Sequence, residues 1–283
     1  MNTIHSIHDI RLLIADKKRQ YLSIGFVPTM GALHEGHLAL IKHAKTENDL
    51  CIASIFVNPL QFNNKEDFNK YPIQHEKDLE LLKQAGCDLV FMPKVNEFYP
   101  STPLLSINMG RLDTILEGAH RPGHFSGVAI VVSKLFNTIQ PDKAYFGQKD
   151  LQQVSVIRQL VSELNFPIEI VSCPIIREQS GLAMSSRNMR LSTSGRQLAA
   201  NLNKALLLME KSIAEGEKNP ATVQEIGLQF IYSFPEIQLE YLGVVNGETL
   251  EYVSTFEGLD NAAICVAAFV EGVRLIDNLV IIV

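Results

Sequence analysis

Two histidines three positions apart mark the segment most able to carry chemistry. His34 and His37 lie in the string P-T-M-G-A-L-H-E-G-H at 28–37, where an apolar, strand-like run gives way to helical spacing. Residues three apart share one side of a helix, and a helix N-terminus attracts anions through its N–H groups and dipole. Two imidazoles placed there could stabilise the charge that develops as a P–O bond breaks. The pattern therefore predicts a polyphosphate site.

Two other interpretations of the histidine pair have to be weighed. An isolated H-x-x-H is often only a packed or exposed pair, and two imidazoles could also bind zinc. No third zinc ligand is evident, because Glu35 lies between the two positions and faces another side. Gly31 and Gly36 allow the chain to turn and a ligand to approach the backbone closely. This strand–glycine–helix setting favours nucleotide binding over both alternatives.

The first half of the chain alternates between strand-like and helix-like segments, which must position the histidine pair. Short apolar runs occur at 23–27, 50–57, 89–92, 143–146 and 168–173, separated by segments with helical spacing. This alternation predicts an α/β fold, a Rossmann-like open parallel sheet with helices on both faces. Such sheets bind ligands at the carboxyl ends of their strands.

The pattern changes near residue 177. Two helix-like segments, 195–215 and 221–234, precede strand-like runs at 238–245, 250–253, 262–270 and 279–283. Strands with few helices between them predict a smaller α+β C-terminal domain with an antiparallel sheet. We therefore expect a Rossmann-like ligand-binding domain over 1–176 and a lid domain over 177–283.

Composition excludes several classes of function. The 283 residues carry 25 Lys plus Arg against 31 Asp plus Glu, and no basic tract offers a surface for nucleic acid. The longest apolar run, 262–270, is too short for a membrane helix, and residues 1–20 do not resemble a signal peptide. Four scattered cysteines form no C-x-x-C pair. We expect a cytoplasmic protein with reduced thiols and no membrane or nucleic-acid partner.

Two further segments carry groups suited to a nucleotide. In F-G-Q-K-D-L-Q-Q at 146–153, Lys149 could neutralise phosphate, and Asp150 could accept from ribose hydroxyls or hold Mg²⁺. The string M-S-S-R-N at 184–188 offers hydroxyls and a guanidinium, which are phosphate donors. Taken alone, a solvated Lys–Asp pair or an ordinary surface loop would explain each segment as well. The first segment follows a predicted strand, at the same sheet edge as the histidine pair, and the second lies beyond the predicted domain boundary, where it could close over the cleft.

Taken together, the chain resembles the pantothenate synthetase (pantoate–β-alanine ligase) family of the His-x-Gly-His nucleotidyl-transferase α/β superfamily. The matching blocks, in the family's order, are 28–37, F-V-N-P-L-Q-F at 56–62, E-G-A-H-R-P-G-H-F at 117–125, 146–153 and 184–188, with a weaker match at R-L-I-D-N, 274–278. Family members often carry Glu where Gln148 stands here, so any role that depends on that charge does not carry over.

The resemblance implies an enzyme that condenses (R)-pantoate with β-alanine, using ATP and Mg²⁺. Pantoate would form pantoyl adenylate and pyrophosphate, and β-alanine would then displace AMP to give pantothenate. Only small-molecule partners and a homodimer are implied. Two rivals remain: a nucleotidylyltransferase that keeps the adenylyl group on its product, and a nucleotide sensor without turnover. Release of AMP and turnover distinguish them.

The resemblance also implies roles for individual residues. His34 and His37 would stabilise the departing pyrophosphate, with His37 the better proton donor, while Lys149 and Arg187 would supply positive charge. Gln61 and Gln153, with Met30, would hold pantoate, because neutral amides orient a carboxylate while leaving it nucleophilic. The expected nucleotide contacts are Met30, Gly31, Ala32, Leu33, His34, Glu35, Gly36, His37, Gly147, Gln148, Lys149, Asp150, Ile176, Met184, Ser185, Ser186 and Arg187. No side-chain metal ligand set is expected, and the roles of Arg121 and His124 stay open.

Overall fold

The computed structural model describes residues 1–63, 68–69 and 71–282. Its contacts group the chain into two compact units. Unit 1 comprises Met1–Gly147 and Gln152–Cys173, and unit 2 comprises Gln148–Leu151 and Pro174–Val283. The short segment 148–151 thus groups with the second unit, although it interrupts the first in sequence. The predicted boundary between 176 and 177 stays a prediction.

Unit 1 is built on a six-stranded parallel sheet. Its strands are β1 (Asn2–Ile4), β2 (Ile24–Thr29), β3 (Leu50–Ile55), β4 (Leu89–Phe91), β5 (Lys143–Gly147) and β6 (Glu169–Cys173). They are arranged in the order β1-β4-β3-β2-β5-β6, and every pair is parallel. The predicted parallel sheet is confirmed. Strand β1 was not predicted, because three residues are too short to show a period.

Helices cover both faces of this sheet, as predicted. They are α1 (Ile7–Arg19), α2 (Glu35–Glu47), α3 (His75–Gln84), α4 (Val95–Phe98), α5 (Leu116–His120), α6 (His124–Ile139) and α7 (Leu151–Glu163). Successive strand residues point to opposite faces. Phe26 and Ile52 accordingly pack in one core with α1, α6 and α7, whereas Val27 and Cys51 pack in another with α2 and α3. Burial on both faces explains why the strands read as continuous apolar runs.

Unit 2 holds the predicted smaller α+β fold. Helices α8 (Thr193–Ala214) and α9 (Pro220–Tyr232) share a hydrophobic core with an antiparallel sheet. The strands of that sheet, in spatial order, are β7 (Gln238–Asn246), β8 (Asn261–Val270) and β9 (Val273–Ile282). No described helix of either unit is long and apolar enough to cross a membrane.

Two strand predictions in unit 2 were wrong: one strand does not form, and another begins earlier than predicted. Residues 250–253 form no strand and contribute a single bridge, Val245 to Tyr252. Strand β9 begins at Val273 rather than at 279. The reason is a two-residue turn, in which Glu271 and Gly272 have φ of 50° and 71°, so the chain reverses at once. Position 283, the end of the predicted last strand, lies outside the described residues.

Candidate active site

The predicted histidine pair comes together at the start of α2. His34 is the N-cap, and its Nδ1 accepts the N–H of Gly36 at 3.2 Å. His37 Nδ1 accepts the N–H of His34 at 3.4 Å, and the two ring centroids are 4.1 Å apart. Because both Nδ1 atoms accept, each neutral imidazole carries its hydrogen on Nε2. The pair therefore presents Nε2–H donors from half-buried rings, beside the exposed Glu35.

The loop before α2 is held by a residue that the sequence did not single out. Asp78, on α3 and only 1% exposed, accepts the N–H groups of Ala32 and Leu33 at 2.9 and 2.8 Å. Gly31 and Ala32 have φ of 80° and 51°, and a Cβ at Gly31 would lie 2.9 Å from Asp78 Oδ2. The predicted need for glycine is thus explained by the turn. Since Asp78 binds both of these N–H groups, the predicted anion site would have to use the imidazoles and the helix N-terminus instead.

Gln61 lies against Met30, which is another of the residues predicted to hold pantoate. Gln61 ends a 3₁₀ turn, Pro59–Gln61, that follows β3, and it is 8% exposed. Its Nε2 donates to Met30 Sδ at 3.0 Å, while its Oε1 accepts from Asn58 Nδ2 at 3.0 Å. The hydrogen bond from Asn58 therefore fixes the orientation of the Gln61 side chain. Structural glutamines can be fixed in the same way, so the contact with pantoate stays a prediction.

His124 supports Gln61 through the main chain. Its Nδ1 donates to the carbonyl oxygen of Gln61 at 2.9 Å, because its Nε2 accepts from Arg121 Nη1 at 3.0 Å. The ring is 5% exposed at the first position of α6. These contacts give Arg121 and His124 a structural role that the sequence alone had left open.

The two adjacent glutamines of α7 differ in burial. Gln152 is 4% exposed, and its Nε2 donates to the carbonyls of Leu112 and Ile115 at 2.8 and 2.9 Å. Gln153, the predicted pantoate ligand, is half-buried. Adjacent helix positions face different directions, so the structural amide of Gln152 does not account for Gln153, whose role stays a prediction.

Within unit 2 the predicted cations converge. Lys149, Ser185 and Arg187 line one narrow cleft, together with Arg274 of β9. Ser185 caps the 3₁₀ turn Ser186–Arg190 by accepting the N–H of Arg187 at 3.3 Å. Arg274 was not among the predicted site residues, although the weak block 274–278 contained it. Its guanidinium is paired with Glu240.

Other predicted nucleotide contacts of unit 2 are close in sequence to the residues that line this cleft. The N–H of Met184 donates to the carbonyl of Ile176 at 2.9 Å, so these two residues are neighbours. Asp150 is half-exposed, with Oδ1 3.9 Å from Lys149 Nζ. In unit 1, Gly147 ends β5 with ordinary φ, and a Cβ there would meet no described atom within 4 Å. Packing within the described chain therefore does not explain this glycine.

A metal set built from side chains was not expected. The described residues 1–63, 68–69 and 71–282 contain no group of three or more His, Cys, Asp or Glu arranged to hold an ion. The carboxylate of Asp78 is bound by two N–H groups, and that of Asp150 lies near the solvent.

Comparison with known proteins decides the family. The family model described as Pantoate-beta-alanine ligase matches residues 2–280. The chain belongs to the pantoate–β-alanine ligase family. Members of this family are enzymes that act as ligases, which confirms the resemblance drawn from the sequence blocks. Pantothenate synthetase of Cytophaga hutchinsonii is 64% identical over 282 residues, covering 100% of each chain.

Solved structures of the family share the whole fold. Pantothenate synthetase from Thermus thermophilus matches with a TM-score of 0.93 at 44% identity, over 99% of both chains. Pantoate-beta-alanine ligase from Francisella tularensis, complexed with beta-gamma ATP and beta-alanine, matches with a TM-score of 0.80 at 36% identity, over 99% of this chain and 97% of that one. ATP binding is thus a property of a close structural relative.

Proposed function

We propose that this ligase condenses (R)-pantoate with β-alanine at the expense of ATP, through pantoyl adenylate, to give pantothenate, AMP and pyrophosphate. Membership of the family supports the overall reaction. The observation that carries the adenylate is the His34–His37 pair at the start of α2, with both Nδ1 atoms bound and both Nε2 atoms carrying hydrogen. Two such donors suit a leaving pyrophosphate.

In the first step, a carboxylate oxygen of pantoate attacks the α-phosphorus of ATP. The P–O bond to the β-phosphate breaks, and its electron pair leaves with pyrophosphate. His34 and His37 stabilise that charge through Nε2–H, and Lys149 and Arg187 add positive charge. Mg²⁺, when bound with ATP, neutralises phosphate oxygens. Adenylation gives the acyl carbon a good leaving group, which splits one difficult step into two easier ones.

Orientation of pantoate falls to neutral groups. Gln61 is fixed against Met30 by Asn58, so its amide is preorganised without a positive charge. A guanidinium would hold the carboxylate more tightly and reduce its nucleophilicity, whereas an amide orients it by hydrogen bonds alone. We assign Gln153 to the same task. The remaining nucleotide contacts are those predicted from the sequence.

In the second step, the amine of β-alanine attacks the acyl carbon of the adenylate. The C–N bond forms, the C–O bond to AMP breaks with its electron pair leaving on AMP, and the proton lost by the amine is released to the solvent. Exclusion of water protects the mixed anhydride until the amine arrives. We further propose that the enzyme is a homodimer, as the family resemblance implies, and that it is cytoplasmic, as the scattered cysteines led us to expect.

The test is isotope exchange between ATP and pyrophosphate with pantoate present and no amine. Exchange is expected to require pantoate, and AMP release to require β-alanine as well. A nucleotidylyltransferase would release no AMP, and a sensor would bind ATP without any exchange. Pantothenate formation without pantoate-dependent exchange would contradict the adenylate while leaving the overall reaction in place.

A further inference from the structure

The segment that carries Lys149 is attached to β9 by a single buried amide. Asn278 is 3% exposed, and its Nδ2 donates to the carbonyl oxygens of Gln148 and Lys149, each at 2.9 Å. Its Oδ1 lies 3.4 Å from Gln148 Nε2. One side chain thus binds two successive peptide groups of the 3₁₀ turn Gln148–Asp150.

The amide is itself held on its own strand. The N–H of Asn278 donates to Asp277 Oδ1 at 2.8 Å. Arg177 binds the two carboxylate oxygens of Asp277 at 2.6 and 3.0 Å, and it also reaches the carbonyl of Asn278. Burial raises the pKa of the Asp277 carboxyl, an effect that Arg177 opposes. We call the contacts of Asn278 with Gln148 and Lys149 the clamp. The Arg177–Asp277 ion pair holds the main chain of Asn278 in place, so the clamp is attached to a fixed part of β9.

We propose that Asn278 is a positioning residue for Lys149. This inference rests on the proposed role of Lys149 in binding phosphate. A primary amide can donate two hydrogen bonds and accept others, which is what two carbonyls and the Gln148 amide require. A three-residue 3₁₀ turn has poor hydrogen-bond geometry of its own. Because the lysine side chain is long and flexible, a fixed main chain limits where its ammonium group can go.

The clamp also shapes the local electrostatics. The two carbonyl oxygens carry the negative ends of the peptide dipoles, and Asn278 binds both of them on the protein side. Lys149, whose side chain is 16% exposed and whose Nζ lies 3.9 Å from Asp150 Oδ1 of the same turn, lines the cleft with Ser185 and Arg187.

The test compares Asn278→Asp and Asn278→Ala with a matched control. The aspartate has nearly the same shape, but it replaces the Nδ2 donor with an acceptor that repels both carbonyls. Asn201→Ala removes another buried amide of unit 2, on α8, whose Oδ1 accepts from Lys204. We expect pantoate-dependent ATP–pyrophosphate exchange to fall about 10- to 100-fold in both variants of Asn278, the scale for misplaced catalytic groups, and to change less than about twofold in the control.

A double-mutant comparison separates positioning from general destabilisation. In a Lys149→Ala background, adding Asn278→Ala should cost less than about threefold, because the group that it positions is already gone. A full, multiplicative loss in that background would overturn the proposal. If the alanine variant fails to fold, the near-isosteric Asn278→Asp supplies the same comparison.

A readout independent of catalysis completes the test. Amide hydrogen exchange across residues 147–151 should be faster in the Asn278 variants and unchanged in Asn201→Ala, since only the former release the turn. If amide hydrogen exchange across 147–151 were unchanged in the Asn278 variants, the proposal that Asn278 holds this turn would be wrong, whatever the enzyme activity. If the wild-type enzyme shows no pantoate-dependent exchange of pyrophosphate, the adenylate mechanism fails, while the hydrogen-exchange result still tests whether Asn278 holds the turn.

Discussion

The two candidate phosphate-binding loops are each held by one buried polar side chain, but with opposite hydrogen-bonding sense. In unit 1, Asp78 accepts the N–H groups of Ala32 and Leu33. In unit 2, Asn278 donates to the carbonyl groups of Gln148 and Lys149. Both supports come from elements distant in sequence, and both bind two successive peptide groups.

This difference determines what each loop can offer an anion. In the first loop, the carboxylate of Asp78 binds main-chain donors, and our proposal assigns recognition of phosphate to the imidazoles of His34 and His37. In the second loop, the amide of Asn278 donates to main-chain acceptors, so the carbonyl oxygens of Gln148 and Lys149 are already hydrogen-bonded. In the proposed mechanism the first loop therefore uses neutral, directional donors, and the second uses positive charge. Charge-stabilising donors that are preorganised cost little reorganisation during the reaction.

The sharpest test of the directional donors is the loss of His37. We expect His37→Ala to lower the rate of pantoate-dependent ATP–pyrophosphate exchange about 10²- to 10³-fold, the scale for a lost charge-stabilising donor. His37→Asn should lose as much activity while its oxygen still accepts the N–H of His34, so its thermal unfolding should match the wild type. Near-normal exchange in either variant would remove His37 from the chemistry.

The cationic loop should respond differently to removal of charge. Arg187→Ala is expected to lower kcat/KM for ATP about tenfold or more, because a charge-assisted hydrogen bond to phosphate is lost. Increasing ionic strength should reduce the wild-type value and affect the variant less. The exposed Arg190, in the same 3₁₀ turn, supplies the control. Equal effects of Arg187→Ala and Arg190→Ala would contradict a specific role.

Asp78 should affect stability and activity together. In Asp78→Asn an amide group must face the N–H groups of Ala32 and Leu33, so one buried donor loses its partner. We expect the free energy of unfolding to fall by about 2 kcal/mol and exchange activity to fall about tenfold, as His34 and His37 lose alignment. Denaturant unfolding and the exchange assay measure the two effects.

A control for Asp78 lies on the same helix. Glu80→Gln changes an exposed carboxylate of α3 and is expected to alter stability by less than about 0.5 kcal/mol. If Asp78→Asn unfolded like this control and kept its activity, the first loop would not depend on its buried carboxylate. The contrast with Asn278 would then fail.

The local part of this architecture could be predicted from the sequence, and the long-range part could not. The strand at 23–27, the glycine turn and the start of a helix near His34 all follow from short-range patterns, and each was close to the structure. Asp78 lies 45 residues from Leu33 in the chain. The sequence shows only a charged residue within a predicted helix, and charged residues are usually exposed. That Asp78 is buried becomes visible only in the structure.

Asn278 was hidden for a related reason. Neighbouring polar residues, Asp277 and Asn278, broke the apolar run, so the predicted strand began only at 279, whereas β9 begins at Val273. Buried polar residues that bind distant peptide groups look like strand-breaking residues when only local pattern is considered. Their partners are specified by tertiary contacts, which a single sequence does not display.

The smallest expected effect concerns the far end of the helix that begins at His34. Glu47, the last residue of α2, accepts from the Tyr145 hydroxyl at 2.8 Å and from Lys143 Nζ at 3.1 Å, both on β5. These bonds, of which the one to Tyr145 has the largest effect, lower the pKa of Glu47 from 4.5 to about 2.

The contribution of Glu47 to the free energy of unfolding is fully present above pH 4.5 and is lost as the pH falls towards 2, because the unfolded chain takes up the proton first. Unfolding measured between pH 2 and 6 should therefore depend less on pH in Glu47→Gln than in the wild type. Parallel profiles would show that this end of α2 is held by packing alone, and the buried Asp78 would then be the first loop's main electrostatic support.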